Sequence, residues 1–545
     1  MKKTIVVFCF FITIHLFPQE GFYLLTTMSG DSIGDQFSVF SHIGDVNSDG
    51  YDDVMVGAPG GDYAKLFFGG AVFDTIPDLI FKDYKQLNCY FGCAITGDGD
   101  INGDGYPDII IGASDTWIGP SFPYEIMTTG AAYVYFGGPT IDTTADLTLI
   151  VGDWLSSTGW YYKFGSSVAI PGDLNGDGYD DFVIGAPHDD YDAHGRVYIY
   201  YGGPHLDDQY DLLLEGEEVC DYFGQSLSAV GDMNNDGFDD VLIGAPMFQQ
   251  NIPGKLYEGG KAYLVYGGND ISLNNSIEFT GDTSSYQYGR FISGLGDVNG
   301  DSINDLGIMG GEYFKVISGN NENILLEISR VNNWFGNFQN ICAGDINNDN
   351  FNDIIISLED TSNDYAGKIE IYLGRIELEL FPDYTIEGNT PHFGLGSSIA
   401  YIGDLNGDNK NDICMGERYQ SYPDTISKGK VYIYSYGLPD DIKEDINSNF
   451  PNHFKLFQNY PNPFNPTTSI QYVIGNRQFV TLKIYNVLGK EIAILVNEEK
   501  QPGTYEVNFD ASNLPSSRQG LSSGVYFYQL IAGNVILTNK LMFLK

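Results

Sequence analysis

The stretch from Phe164 to Pro187, FGSSVAIPGDLNGDGYDDFVIGAP, decides the fold. It opens on an aromatic-Gly pair and runs through a short apolar segment to Gly172-Asp173. It then turns through a DxNxDGxxD loop and leaves in a second apolar run that closes in Gly185-Ala186-Pro187. Both flanking runs are short and rich in strand formers, so the loop reads as the turn of a hairpin. The pattern recurs seven times, with loops starting at Asp45, Asp100, Asp173, Asp232, Asp297, Asp345 and Asp404, spaced 55, 73, 59, 65, 48 and 59 residues apart. Upstream stand Phe91-Gly92, Phe164-Gly165, Phe223-Gly224, Tyr288-Gly289, Phe335-Gly336 and Phe393-Gly394, with a degenerate Phe37-Ser38 in the first unit. Such a period marks an array of one supersecondary unit.

Each unit reads as four short strands. In the third these are Ser166 to Ile170, Asp181 to Ile184, Arg196 to Tyr201 and Asp211 to Glu215, all bounded by Gly, Asp or Pro. A lone four-stranded sheet cannot cover both its faces, so the units are expected to stack radially as a seven-bladed β-propeller. After Val431 to Tyr436 no outer strand follows, whereas one stands at the start, Phe22 to Thr27. This N-terminal strand is expected to close the ring and hide two sheet edges.

Composition agrees with an all-β chain: 67 Gly, 39 Tyr and 35 Phe among 545 residues. Lys+Arg 27 against Asp+Glu 73 gives a net charge of −46, a field that repels nucleic acid and anionic membrane and attracts divalent cations. From His453 onward the balance is about +3, so the body before it carries roughly −49. The expected organisation is a signal peptide over 1–19, a propeller over 20–437, a linker over 438–452 and a β-sandwich over 453–545. Lys2-Lys3 ahead of the apolar run Thr4 to Phe17 carries the signal reading, and no later segment is apolar enough to span a membrane. Cys89, Cys93, Cys220, Cys342 and Cys414 are an odd number in apolar runs, expected to pack as small hydrophobes rather than to form a disulfide framework.

The loops offer hard oxygens at alternating positions of a tight turn, the donor set of Ca²⁺. In the third loop Asp173, Asn175, Asp177 and Asp181 occupy positions 1, 3, 5 and 9, with the carbonyl of Tyr179 at 7. The remaining six read Asp45, Asn47, Asp49, Tyr51, Asp53; Asp100, Asn102, Asp104, Tyr106, Asp108; Asp232, Asn234, Asp236, Phe238, Asp240; Asp297, Asn299, Asp301, Ile303, Asp305; Asp345, Asn347, Asp349, Phe351, Asp353; and Asp404, Asn406, Asp408, Lys410, Asp412. Up to seven Ca²⁺ are expected, acting as hairpin clamps. Position 6 is Gly in the first four loops and Ser302, Asn350 and Asn409 in the last three. Ser adopts the left-handed conformation poorly, so the fifth site is expected to be weakest. An EF-hand would need flanking helices and Glu at position 12, and β-rich runs follow instead.

Phe164-Gly165, the Asp173 to Asp181 loop and Gly185-Ala186-Pro187, with Gly57-Ala58-Pro59 and Gly244-Ala245-Pro246, resemble FG-GAP repeats, the units of the integrin α-subunit propeller. The likeness covers about Gly21 to Gly437. Gly112-Ala113-Ser114, Met309-Gly310-Gly311, Ser357 and Gly416-Glu417-Arg418 depart from the ending. The resemblance implies adhesion or ligand binding by a rigid extracellular platform. Beyond the linker, Val480, Leu482 and Ile484 alternate with Thr481, Lys483 and Tyr485, as do Tyr505, Val507 and Phe509, which predicts a small immunoglobulin-like β-sandwich. Asn459 to Pro466 (NYPNPFNP), Leu488-Gly489 and Ser523 to Tyr528 look like the C-terminal sorting domain of type IX (Por) secretion substrates. That resemblance implies a Gram-negative bacterium of the Bacteroidetes kind, engagement of the type IX machinery, and release or attachment at the outer-membrane surface.

The sequence lacks HExxH, GxSxG and phosphate-loop motifs, so no catalytic residues are assigned. The histidines beyond the signal, His42 among them, read as turn or loop residues, and His188 shares a loop with three Asp. Second-to-third-strand connections and blade-to-blade connections should gather on the face opposite the metal loops. Trp117, Trp154, Trp160 and Trp334 fall in segments of that face, and Trp117, Trp154, Trp160 and His188 are taken as its candidate ligand residues. Trp160 and Trp334 stand close to aromatic-Gly pairs and also read as wedges between blades. The expected function is a secreted calcium-binding adhesion module with an extracellular protein or glycan ligand. The alternatives are a hydrolase or lyase with a site at the centre of the non-calcium face, distinguished by a close His, Asp and Arg set there, and a structural surface-layer component.

Overall fold

A computed structural model describes residues 21–71, 73–83, 89–116, 129–151, 163–187, 194–252, 255–281, 287–311, 313–319, 322–329, 338–359, 365–388, 394–418, 427–437, 455–456, 459, 462, 464–474, 478–486, 490–500, 503–512, 521–532 and 535–544. The expected signal peptide and linker lie outside these residues. The chain divides into two units, Met1–Leu438 and Pro439–Lys545. Among the described residues there is no α-helix, only strands and two short 3-10 turns, Pro59–Gly61 and Leu273–Asn275.

Among its described residues the first unit contains seven four-stranded antiparallel sheets and one small hairpin, Gln249–Ile252 with Lys255–Glu258. The third sheet is built of Ser167–Gly172, Asp181–Ala186, Arg196–Tyr200 and Leu212–Glu215 in sequence order. Its second strand is buried throughout while its outermost is only partly buried. A strand covered on both faces needs a continuous apolar run, which is why Phe182-Val183-Ile184 shows no period of two. The side chains of Ile110 and Val134 from the second sheet meet Val168, Phe182 and Ile184 from the third in one buried cluster. Each such residue contributes about 1.5–3 kcal/mol relative to exposure.

The first strands Val39–His42, Phe91–Gly99, Ser167–Gly172, Ser226–Gly231, Phe291–Gly296, Phe338–Gly344 and Leu395–Gly403 pack one against the next in that order, and the last packs against the first. The seventh sheet takes its outer strand from the start of the chain: Gly21–Ser29 pairs antiparallel with Lys430–Gly437, Gly21 opposite Gly437 and Ser29 opposite Lys430.

The repeat's glycines hold neighbouring sheets together. A Cβ on Gly185 would stand 2.2 Å from the carbonyl oxygen of Gly224, and one on Gly112 only 1.9 Å from that of Gly165. The Gly of a Gly-Ala-Pro ending thus receives the backbone of the next sheet's aromatic-Gly pair. Phe37, Phe91, Phe164 and Phe223, the aromatics of those pairs, are fully buried. The cysteines are free: Cys89 and Cys414 are buried as expected, but Cys220 is exposed on a turn and does not pack as a small hydrophobe.

In the second unit, Lys455–Leu456, Thr467–Ile474 and Gly503–Asp510 form one sheet. Glu491–Lys500, Gln478–Asn486, Gly524–Ala532 and Val535–Phe543 form another. Ile470 and Phe509 of the first and Leu482, Tyr528 and Leu541 of the second share one core. The Asn-rich opening of the domain has a structural job here. Asn459, 2% exposed, donates its backbone N–H to the Tyr528 hydroxyl at 2.8 Å and its amide to Thr468 at 2.9 Å. Asn462 accepts the N–H of Met542, and Phe464 bridges Phe543, tying the opening to the last strand.

Candidate metal centres

All seven loops lie between the first and second strands of their sheets, and all share one hydrogen-bond pattern. The position-1 carboxylate accepts the backbone N–H groups of positions 5 and 6 at 2.7–3.1 Å. The position-3 amide oxygen accepts the N–H of position 5 as well. The position-5 carboxylate takes that of position 7, as Asp177 does from Tyr179 at 3.1 Å. Position 6 is left-handed throughout, with φ of +93° at Gly50 and +66°, +70° and +60° at Ser302, Asn350 and Asn409.

The position-9 Asp is fully buried in every unit and begins the second strand, except that Asp53 directly precedes it. One carboxylate oxygen accepts the N–H of position 2, from Val46, Ile101, Leu174, Met233, Val298, Ile346 and Leu405, at 2.8–3.2 Å. In six units the other accepts an N–H from the turn after the third strand, at Gly69, Gly137, Gly202, Gly267, Gly319 and Gly374. Burial, reinforced by the nearby loop carboxylates, pushes Asp53, Asp108, Asp181, Asp305 and Asp353 up to about 7, Asp240 to about 6 and Asp412 to about 8.

These residues fit a hard dication by donor chemistry: three carboxylates, an amide oxygen and a carbonyl on one nine-residue turn, with an excess of negative charge that raises the buried Asp. Among the described residues no three His, Cys, Asp or Glu side chains stand in a ligating array. The carboxylates are instead spread onto backbone N–H groups. Two loops differ. The amide nitrogen of Asn299 lies on Asp305 at 3.0 Å and that of Asn406 on Asp412 at 3.5 Å, whereas in the first four units it lies on the position-5 Asp.

Position 8 carries side chains whose role the loop spacing does not reveal. Asp52, Asp180 and Asp239 accept the backbone N–H of Asp404, Asp100 and Asp173 at 2.7, 2.8 and 2.9 Å, each in the sheet before. The doubled Asp of DGYDD was the visible signal, but its partner lies 66 to 352 residues away in sequence. His42 also corrects the sequence expectation. It ends a strand rather than sitting in a loop, with Nδ1 3.0 Å from Asp98 and Nε2 3.8 Å from Asp52. Burial would lower its pKa, but the two carboxylates outweigh this and raise it to about 9. Trp117, Trp154, Trp160, Trp334 and His188 lie outside the described residues.

Comparisons with known proteins agree with this architecture. The FG-GAP repeat family matches residues 41–73, 164–200 and 223–265, and the secretion system C-terminal sorting domain family matches 458–544. Integrin alpha-5 of Xenopus laevis is 29% identical over 228 residues, 40% of this chain and 21% of its own length. Integrin alpha-PS5 of Drosophila melanogaster is 33% identical over 186 residues, 32% of this chain and 17% of its own. The chain thus spans about a fifth of the length of these relatives. A solved structure of BBS1N in complex with ARL6DN aligns over 77% of this chain and 97% of its own at 10% identity with a TM-score of 0.45, too loose a likeness to fix a blade count. The class is an all-β protein of FG-GAP repeats with integrin α homologues. This chain joins those repeats to a C-terminal sorting domain of the secretion system.

Proposed function

We propose that residues 21–437 form a seven-bladed β-propeller whose loops bind Ca²⁺, and that the protein is an adhesion or ligand-binding module exported through a type IX secretion machinery by an immunoglobulin-like C-terminal sandwich. The observation that carries this reading is the joining, in one chain, of integrin-α-like FG-GAP repeats to a secretion sorting domain. Seven four-stranded sheets in cyclic contact support the blade count. Among the described residues no helix is long and apolar enough to cross a membrane, a statement that leaves β-barrels aside.

Calcium, when bound, supplies the positive charge that lets three carboxylates share one turn. The chain's own part is to orient them: positions 5 and 6 fix the position-1 Asp, and in six units the third-strand turn fixes the position-9 Asp against the sheet. A loop so held stiffens the hairpin below it, and seven of them stiffen the disc. Seven dications would return +14 and take the net charge from −46 to −32, still repulsive to nucleic acid. The partner is proposed to be an extracellular protein or glycan, bound on the face opposite the loops. The reading assigns binding rather than catalysis, at the surface of a Gram-negative bacterium or in its medium.

The test is an array of glycans and matrix proteins probed with the calcium-loaded full chain. Saturable capture of one ligand class, unaltered in mass after elution, is expected. Cleavage of an arrayed glycan or protein without retained binding would replace the adhesion reading with a hydrolase or lyase.

A further inference from the structure

Six of the seven loops are gripped by the sheet that follows them. The position-8 side chain of one blade reaches the position-1 region of the blade before it: Asp52 to Asp404, Asp180 to Asp100 and Asp239 to Asp173, carboxylate to backbone N–H. In the next three blades Asn replaces Asp and the bond reverses. Asn304 donates to the carbonyl of Val230, Asn352 to that of Leu295 and Asn411 to that of Asp345, at 2.8, 2.9 and 2.5 Å. The backbone N–H groups of Asp52, Asp180 and Asp239 return a bond to the carbonyl of the same residue that their side chains hold. The grip explains the Gly of four Gly-Asp pairs, Gly172, Gly231, Gly296 and Gly403, whereas Gly99 and Gly344 make room first for Ile170 and Tyr401. A Cβ on Gly172 would stand 2.2 Å from Asp239 Oδ2, on Gly403 2.0 Å from Asp52 Oδ2, and on Gly296 1.9 Å from Asn352 Nδ2.

One junction lacks the grip. In blade 2 position 8 is Pro107, which has no donor or acceptor side chain, and the loop of blade 1 is held by the N–H of Gly138 on the Val46 carbonyl. There His42 of blade 1 and Asp98 of blade 2 pair instead, on the inner strands.

We propose that the position-8 side chain is a positioning residue for the metal loop of the preceding blade, so that cation binding is coupled from blade to blade around the ring, with a single seam between blades 1 and 2. Three features carry it. The Asp at position 8 fixes the peptide that bears the position-1 carboxylate. It is not itself among the loop's ligands, since its side chain points to the neighbour. Its replacement by Asn keeps the contact while exchanging acceptor for donor, so the contact rather than the charge is the shared feature. Groups that orient a metal ligand from outside the coordination sphere typically change affinity by roughly 10- to 100-fold when removed.

This inference rests on the calcium reading, and one experiment separates the two. Hydrogen exchange of the full chain is followed loop by loop, with calcium and after chelation, for the natural protein, Asp180→Ala and Asp239→Ala. The natural protein should show calcium-dependent protection in the loops; if none responds, the calcium reading itself fails. Given that response, Asp180→Ala should cut protection in 100–108 about 10-fold or more and leave 173–181 unchanged, while Asp239→Ala should cut it in 173–181 and spare 232–240. Pro107→Asp, which restores the missing side chain, should raise protection in 45–53. Loss confined to a variant's own loop, or spread equally over all seven, would give position 8 a merely structural role and overturn the proposal.

Discussion

Asp412 and Ser435 face each other across the second and third strands of the seventh sheet, and Asp412 Oδ1 and Ser435 Oγ are buried without a hydrogen-bond partner among the described residues. In the other six units the corresponding Asp oxygen accepts the N–H of a turn glycine such as Gly202. Here Tyr436 stands at that position, because Lys430–Gly437 runs straight on to receive the N-terminal strand. Closing the ring removes the turn that secures this loop elsewhere.

The contrast yields opposite signs for one substitution at two equivalent sites. Asp412→Asn in chelated protein, at a pH above about 8 where this carboxyl is ionised, can direct its amide to the Ser435 hydroxyl and sheds a buried charge, so stability should rise by about 1–3 kcal/mol. Asp181→Asn sets an amide nitrogen against one of two N–H donors and should lower it by a similar amount, about 1–3 kcal/mol. Urea denaturation in chelator reads both. Equal signs would remove the distinction drawn between the seventh loop and the rest.

Stability of the metal-free protein should fall as pH rises. The position-9 Asp residues have folded pKa values near 7, above the ordinary 3.8, so the folded state holds their protons more tightly than the unfolded chain. Their contribution is complete below the unfolded value and lost as pH climbs through about 7. Chelated protein should therefore melt higher at about pH 5 than at about pH 8, and added calcium should raise the melting temperature most at the higher pH, where the carboxylates are free to ligate. A chelated protein that melts higher at the alkaline end would contradict the burial of these groups.

Two glycines should differ sharply in what they tolerate. Gly185→Ala drives a Cβ into the Gly224 carbonyl and should destabilise by about 1–3 kcal/mol through overpacking between sheets. Gly178→Ala meets open space at φ +90°, so only backbone strain opposes it, about 1 kcal/mol. Ser302, Asn350 and Asn409 already occupy that place in other loops. Chemical denaturation ranks the pair, and the reverse order would refute the packing role of the Gly-Ala-Pro ending.

In the C-terminal unit, Tyr528→Phe deletes the buried hydroxyl that accepts the Asn459 N–H, a loss of about 1–3 kcal/mol. Export should fall with it while exposed Phe527→Ser leaves export closer to the natural level. Full export of Tyr528→Phe would show that the bond between the Asn-rich opening and the last sheet is dispensable.

Much of this was legible in the residues because the repeat carries its own punctuation. Asp173 to Asp181 announces a turn, Phe182 to Ile184 a strand buried on both faces, and the missing strand after Tyr436 sends the eye back to Phe22. What joins one unit to the next was not legible. Asp180 looks like padding beside the candidate ligand Asp181, and nothing local says that its partner is Asp100, a sheet away. His42 misled for the same reason: its neighbours in sequence are turn formers, while its partners Asp52 and Asp98 arrive through the packing of adjacent sheets. The Gly before each loop's first Asp carries no local sign of its partner, and at Gly172 it is the space that Asp239 fills.

The central claim is that cations in these loops lock the ring of sheets. Calorimetry of the full chain, saturated with calcium and then exhaustively chelated, with bound metal counted in the same samples, tests it most directly. The account predicts several bound Ca²⁺ per chain, up to one per loop, and a first-unit transition that moves to markedly lower temperature on chelation. A metal-free protein with the same transition temperature would contradict it.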